Sequence, residues 1–177
     1  MKDKRIKIIS MVAYFLIALV LYIILHELGH CIVAVACGAT ITEFSILTAH
    51  MSYVGGSYTD ASDLWLHVNG MLFPLTISYI YMIFYNSDKG NLTYRIVSYV
   101  ISFMPMFSLL PWVIMPIMYA VGESIPATDD VTKFLYNFSA SYNPIWVTVG
   151  AVILIATSII MIIKKRILHN FIVEMKK

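Results

Sequence analysis

The sequence predicts a mainly α fold: a polytopic transmembrane helix bundle of about four spans, with a small β-hairpin at the membrane edge. Three observations predict it. Of 177 residues, 60% are hydrophobic and only 12% charged, against roughly 45–50% and about 25% in a soluble domain. The apolar residues gather into runs of the ~20 residues that a helix needs to cross a ~30 Å hydrocarbon core. Between the first two runs lies a stretch that alternates apolar and polar residues, which is the period of a strand. A mean hydropathy of +0.81 agrees. Residues 1–177 are expected to form one integral membrane domain, and the net charge of +2 carries no sign of nucleic-acid binding.

The first span is expected over residues 6–37, with Gly38 as the helix stop. It is too long for a cleavable signal peptide, and no small-x-small cleavage site follows it. Cys31 and Cys37 lie six residues apart on this helix, point to different faces and read as apolar packing. In residues 41–60, Phe44, Ile46, Met51 and Tyr53 alternate with polar neighbours ahead of Gly55-Gly56, which predicts the hairpin. The second span is expected over residues 63–85, followed by a polar turn at 86–91. The third, over 92–120, contains Pro105, Pro111 and Pro116. It is either one kinked helix or a helix followed by irregular chain. In the connection 121–143, Thr128 is expected to cap a short helix from 129 to about 138. The fourth span, 144–163, stops at Lys164-Lys165-Arg166.

Lysine and arginine placement sets the expected orientation. Lys2, Lys4, Arg5 and Lys7 precede the first span, Lys89 and Arg95 flank the polar turn, and Lys164, Lys165, Arg166, Lys176 and Lys177 follow the last span. Residues 38–63 contain none, and Lys133 is alone in the last connection. Both termini are therefore expected in the cytoplasm. The expected location is a multi-pass position in the plasma membrane of a prokaryote.

The chemistry concentrates in His26-Glu27-Leu28-Gly29-His30, which reads His-Glu-x-x-His, a zinc-protease pattern. Histidines four apart leave one face of a helix and can grip one metal ion. Glu27, turned about 100° from His26, can lie beside the open position where a water binds. Polar groups inside an apolar span are functional by default, and Gly29 lets another chain approach closely. A catalytic zinc usually has three protein ligands. The candidates for the third are His50, Asp60, Asp63, His67, Glu123, Asp129 and Asp130. The pair Asp129-Asp130 is favoured, because it lies beside Phe134-Leu135 and follows a proline-broken span able to return the chain to the first helix. His67 and Asn69 are candidates to donate a hydrogen bond to the oxyanion of a scissile carbonyl. Helix-to-helix bonding is the other role open to them. His50 is assigned to the exposed hairpin and His169 to a basic surface tail.

On these residues the chain resembles the site-2 protease family of intramembrane zinc metalloproteases. The His-Glu-x-x-His within an apolar span, the hairpin-like segment at 41–58 and a later aspartate carry the resemblance. In the family that aspartate, the third zinc ligand, follows Asn-x-x-Pro within a Leu-Asp-Gly sequence. Here Ser108-Leu109-Leu110-Pro111 stands in the first position, and the aspartate comes later, in Asp129-Asp130. The family carries an apolar residue four beyond the ligand. Phe134 is four beyond Asp130, so the resemblance implies Asp130, with Asp129 as alternate.

The resemblance implies peptide-bond hydrolysis within or at the edge of the membrane, with Zn2+ as cofactor and Glu27 as the catalytic base. The partner is a membrane-spanning or membrane-anchored peptide or protein substrate in the lipid bilayer. Residues 44–53 are a candidate to hold that substrate as an added strand. Helix rise puts His26 about 30 Å beyond Ile6, towards the outer face, whereas several family members place the site nearer the cytoplasm. Two other functions fit the same residues. One is a zinc peptidase acting on soluble or lipid-anchored peptides at the membrane surface, and the other is a non-enzymatic metal-binding membrane protein.

Overall fold

A computed structural model describes residues 2–177, with side chains from Arg5 onward. The described residues form seven helices and one two-stranded antiparallel sheet. In chain order these are α1 (Lys2–Ala36), β1 (Ala39–Ser45), β2 (His50–Gly55), α2 (Asp60–Phe84), α3 (Leu92–Phe107), α4 (Leu109–Ala120), α5 (Asp130–Phe138), α6 (Ile145–Lys164) and α7 (Ile167–Lys176). Four stretches are long and apolar enough to cross a membrane: Arg5–Ala36, Asp60–Phe84, Leu92–Ala120 and Ile145–Lys164. They match the expected spans to within a few residues.

Helix α1 ends as expected, where Gly38 takes a left-handed φ of +84° that a side chain would strain. The chain then turns into the hairpin, which pairs Ala39 with Gly55 and Phe44 with Met51 around a bulge between Ile41 and Glu43. The hairpin buries Ala39 and Met51 against Ala34 of α1 and Leu66 of α2. Ile46, expected in the strand alternation, lies instead in the turn between β1 and β2.

The third apolar run is two helices that meet at Ser108. An unbroken helix needs the residue-111 amide to bond the carbonyl of Phe107. Pro111 has no N–H, and its ring crowds that carbonyl. Pro105 is tolerated inside α3 because the carbonyl it leaves free, that of Ile101, accepts a bond from Ser78 Oγ of α2 at 3.0 Å.

One further expectation is corrected here. Asp129, not Thr128, caps α5: its carboxylate accepts the Val131 amide at 2.8 Å. A helix that starts one residue later moves the cap one residue along, and aspartate caps as well as threonine or better. The basic tail after the last span is helix α7, which starts at Arg166 in a left-handed conformation. Ile167, Phe171 and Met175, four residues apart, face the bundle, and Phe171 stacks on Tyr99 of α3 at 4.1 Å.

Met71 and Leu75 of α2, Leu109 and Trp112 of α4, Val131 and Leu135 of α5, and Ala151 of α6 form one core that seats α5. Thr132 Oγ1 ties α5 to the Pro126 carbonyl at 2.7 Å, and Asn137 Nδ2 bonds Asp63 of α2. Substituting Leu135, which is fully buried, by alanine is expected to cost about 2–5 kcal/mol. The thermal unfolding midpoint in detergent should fall accordingly; an unchanged midpoint would show that this core does not hold α5.

Candidate metal centre

His26 and His30 sit one turn apart on α1, and their rings meet edge to face with centroids 4.8 Å apart. Their Nε2 atoms are 3.2 Å from each other. The Oδ2 atom of Asp130 lies 3.2 Å from the first and 3.1 Å from the second. Asp130 reaches them from the first turn of α5, a hundred residues later in the chain.

The far nitrogens bear on what these three atoms can hold. His30 Nδ1 lies 2.6 Å from the Leu66 carbonyl. A carbonyl only accepts, so Nδ1 carries a proton; in the neutral ring the lone pair is then on Nε2. His26 Nδ1 is likewise turned outward, 3.4 Å from the Tyr22 hydroxyl. With Nδ1 protonated on both neutral rings, two imidazole lone pairs and a carboxylate oxygen converge on one point. They repel one another unless a cation lies between them. A proton bridges one pair of atoms; a metal ion bridges all three. Two nitrogens and one oxygen suit zinc, with a position left for water or substrate, and the outward Nδ1 bonds are the usual second-layer support.

Glycine makes this geometry possible. A Cβ on Gly70 of α2 would run into the His30 Nε2 atom, and one on Gly29 would run into the Asn69 carbonyl. With both absent, α1 and α2 close up, and Asn69 Nδ2 donates to the Gly29 carbonyl at 2.7 Å.

The three donor atoms face a cavity of about 390 Å3 that Glu27, His50, Met51, Tyr53, His67 and Lys133 also line. Glu27 is only 4% exposed. His67 stands between two carboxylates, with Nδ1 3.9 Å from Asp130 Oδ1 and Nε2 3.6 Å from Asp63 Oδ2. Burial alone would push the Asp130 carboxyl up. The imidazoles of His26, His30 and His67 beside it outweigh that and hold the group below the usual carboxylate range, so it stays ionised.

The residues expected at the site divide as follows. His26, His30 and Asp130 come together and are able to hold a metal ion. Asp129 is spent on capping α5. Of the two oxyanion candidates, His67 lines the cavity. Asn69 does not line it; its amide takes the helix-to-helix role. Among the other acids, Asp63 serves Asn137 and His67, while Asp60 and Glu123 are exposed. His50 is exposed on β2, 2.9 Å from Ser52 Oγ, and His169 is exposed on α7. Tyr22 and Gly70 also belong to the site. Tyr22 stands four residues before His26, the spacing that shares a helix face, and that signal was available. Nothing local marks Gly70 as the partner of His30. No protein-family model matches the chain, and neither does any curated protein or solved structure.

Two outcomes are expected from metal analysis of purified variants. Asp130→Asn loses stoichiometric metal, whereas Asp129→Asn keeps it, because asparagine caps a helix as well as aspartate does; the reverse pattern would exchange the two roles. Gly70→Ala loses the metal at unchanged ligand composition, and full occupancy there would show that the close approach of α2 is not required.

Proposed function

We propose that the chain is a membrane-embedded zinc endopeptidase of the site-2 protease type, hydrolysing peptide bonds of membrane-embedded or membrane-proximal substrates, with His26, His30 and Asp130 as ligands and Glu27 as catalytic base. The observation that carries this reading is the convergence of the two Nε2 atoms and Asp130 Oδ2 on one point of a cavity that Glu27 also lines. The four long apolar helical stretches support a multi-pass membrane location. Among the described side chains, every lysine and arginine except Lys133 lies at the end formed by the start of α1, the 86–91 turn and α7. That end, with both termini, is assigned to the cytoplasm.

A zinc ion held there supplies Lewis acidity, which polarises a carbonyl and makes water acidic near pH 7. The chain's own groups do the rest. Glu27 takes a proton from the attacking water and delivers it to the amine nitrogen as the C–N bond breaks; the hydroxyl stays on the carbonyl carbon. His67, on the cavity wall, is the group able to donate to the oxygen that becomes negative. Ala49, His50, Met51 and Tyr53 bring the start of β2 to the same cavity. The substrate pairs with this strand through main-chain hydrogen bonds, which hold its backbone extended.

Replacing Glu27 by glutamine keeps the size and removes the base. The expected result is full metal content with peptide hydrolysis reduced at least about 100-fold. A protein whose only task is to bind metal would behave like the wild type in every assay.

A further inference from the structure

The helices carry a ruler for the depth of this centre. Trp65 is next to Leu66, whose carbonyl holds His30, so it marks the level of the donor atoms on α2. Trp65 is 57% exposed, as an interfacial anchor is. Twenty residues further, at the C-terminal cap of α2, stands Tyr85, about 30 Å away by helix rise. There the Arg95 guanidinium bonds the Tyr85 hydroxyl, and Lys165 Nζ bonds the Ile83 carbonyl. One aromatic anchor and one cationic anchor thus bracket a full hydrocarbon thickness.

Two other helices give the same reading. On α6, exposed Trp146 precedes Lys164 by eighteen residues, or about 27 Å. On α1, Lys7 precedes His26 by nineteen residues, or about 28 Å. Trp146 lines one groove with Val68 of α2 and Phe134 of α5. Exposed Tyr136 and Tyr142 lie on α5 and just after it. Helix α1 is too long for the core, and its last turns, past His26, carry the hairpin with its polar Glu43, Ser45 and Thr48.

On the reading given above, we propose that the donor triad lies at the membrane–water boundary, on the face opposite the basic termini. The bond cut is then in the juxtamembrane segment of a membrane-anchored substrate on that face, not within its span. Such a segment is already extended and hydrated, so it can pair with β2 without a helix being unwound in hydrocarbon.

The test uses the full chain, loaded with zinc in liposomes, and a synthetic single-span polypeptide with a polyleucine core and Gly-Ser-rich flanks on both sides. Products are mapped by mass spectrometry for wild type and Glu27→Gln. Cuts that vanish in Glu27→Gln and fall in the flank outside the span, on the face away from the enzyme's termini, are expected. Glu27-dependent cuts inside the polyleucine core, or on the other flank, would overturn the proposal. Absence of any Glu27-dependent cut would instead overturn the peptidase reading, and the substrate claim with it. Depth is read separately, without activity, from tryptophan quenching by lipids brominated near the headgroup or near the chain end. Compared with the Trp65→Phe/Trp146→Phe double variant, the wild type should be quenched mainly by the headgroup-proximal lipid. Stronger quenching by the chain-end lipid would place the centre in mid-bilayer and sink the proposal.

Discussion

The crossing of α1 with α2 depends on the absence of bulk at two positions. Gly29 and Gly70 remove the two Cβ atoms that would hold the helices apart. What fills the space is polar and specific: the Asn69 amide on the Gly29 carbonyl, and the His30 ring between Gly70 and the Leu66 carbonyl. The second contact fixes which nitrogen of His30 carries the proton, and with it the donor that faces the centre. The helix crossing and the chemistry of the donor set are therefore one feature.

Helix α5 supplies the negative charge. Its two neighbouring aspartates have different fates because a helix start treats consecutive positions differently. The carboxylate at the cap turns back on the amides of the first turn. The next one, about 100° further round, is free to point at α1. Apolar packing from α2, α4 and α6 seats the short helix, and the Asn137–Asp63 bond adds a polar tie. The third donor is held by packing around a nine-residue helix, which explains why a site made from two distant segments can be well defined.

The polar groups are also ordered along the bundle. Basic side chains other than Lys133 gather at one end, while four of the five histidines and most of the acids gather at the other. Between these ends the helices present apolar faces interrupted by prolines, whose free carbonyls are met where a neighbouring hydroxyl reaches them, as Ser78 reaches Ile101. The polar donor set is thus gathered near one end of the apolar helices, beside the hairpin and the exposed tryptophans.

Much of this is legible in the chain itself, because the relevant signals are local. Hydropathy and run length mark the four long helices, alternation marks the hairpin, Gly38 marks the end of α1, and the four-residue spacing of His26 and His30 puts both rings on one face. Local signals fail where a neighbour decides. The amphipathic pattern of α7 was readable but was masked by its charges, and Pro111 left open whether the third run bends or breaks. Only the folded chain sets the partner of His26 and His30, since choosing between Asp129 and Asp130 depends on where α5 begins to within one residue. Only the fold, too, gives Asn69 its place between helices and Gly70 its place under an imidazole. Sequence spacing determines which groups share a face of one helix; which faces then meet is a property of packing, where a single Cβ is enough to keep two helices apart.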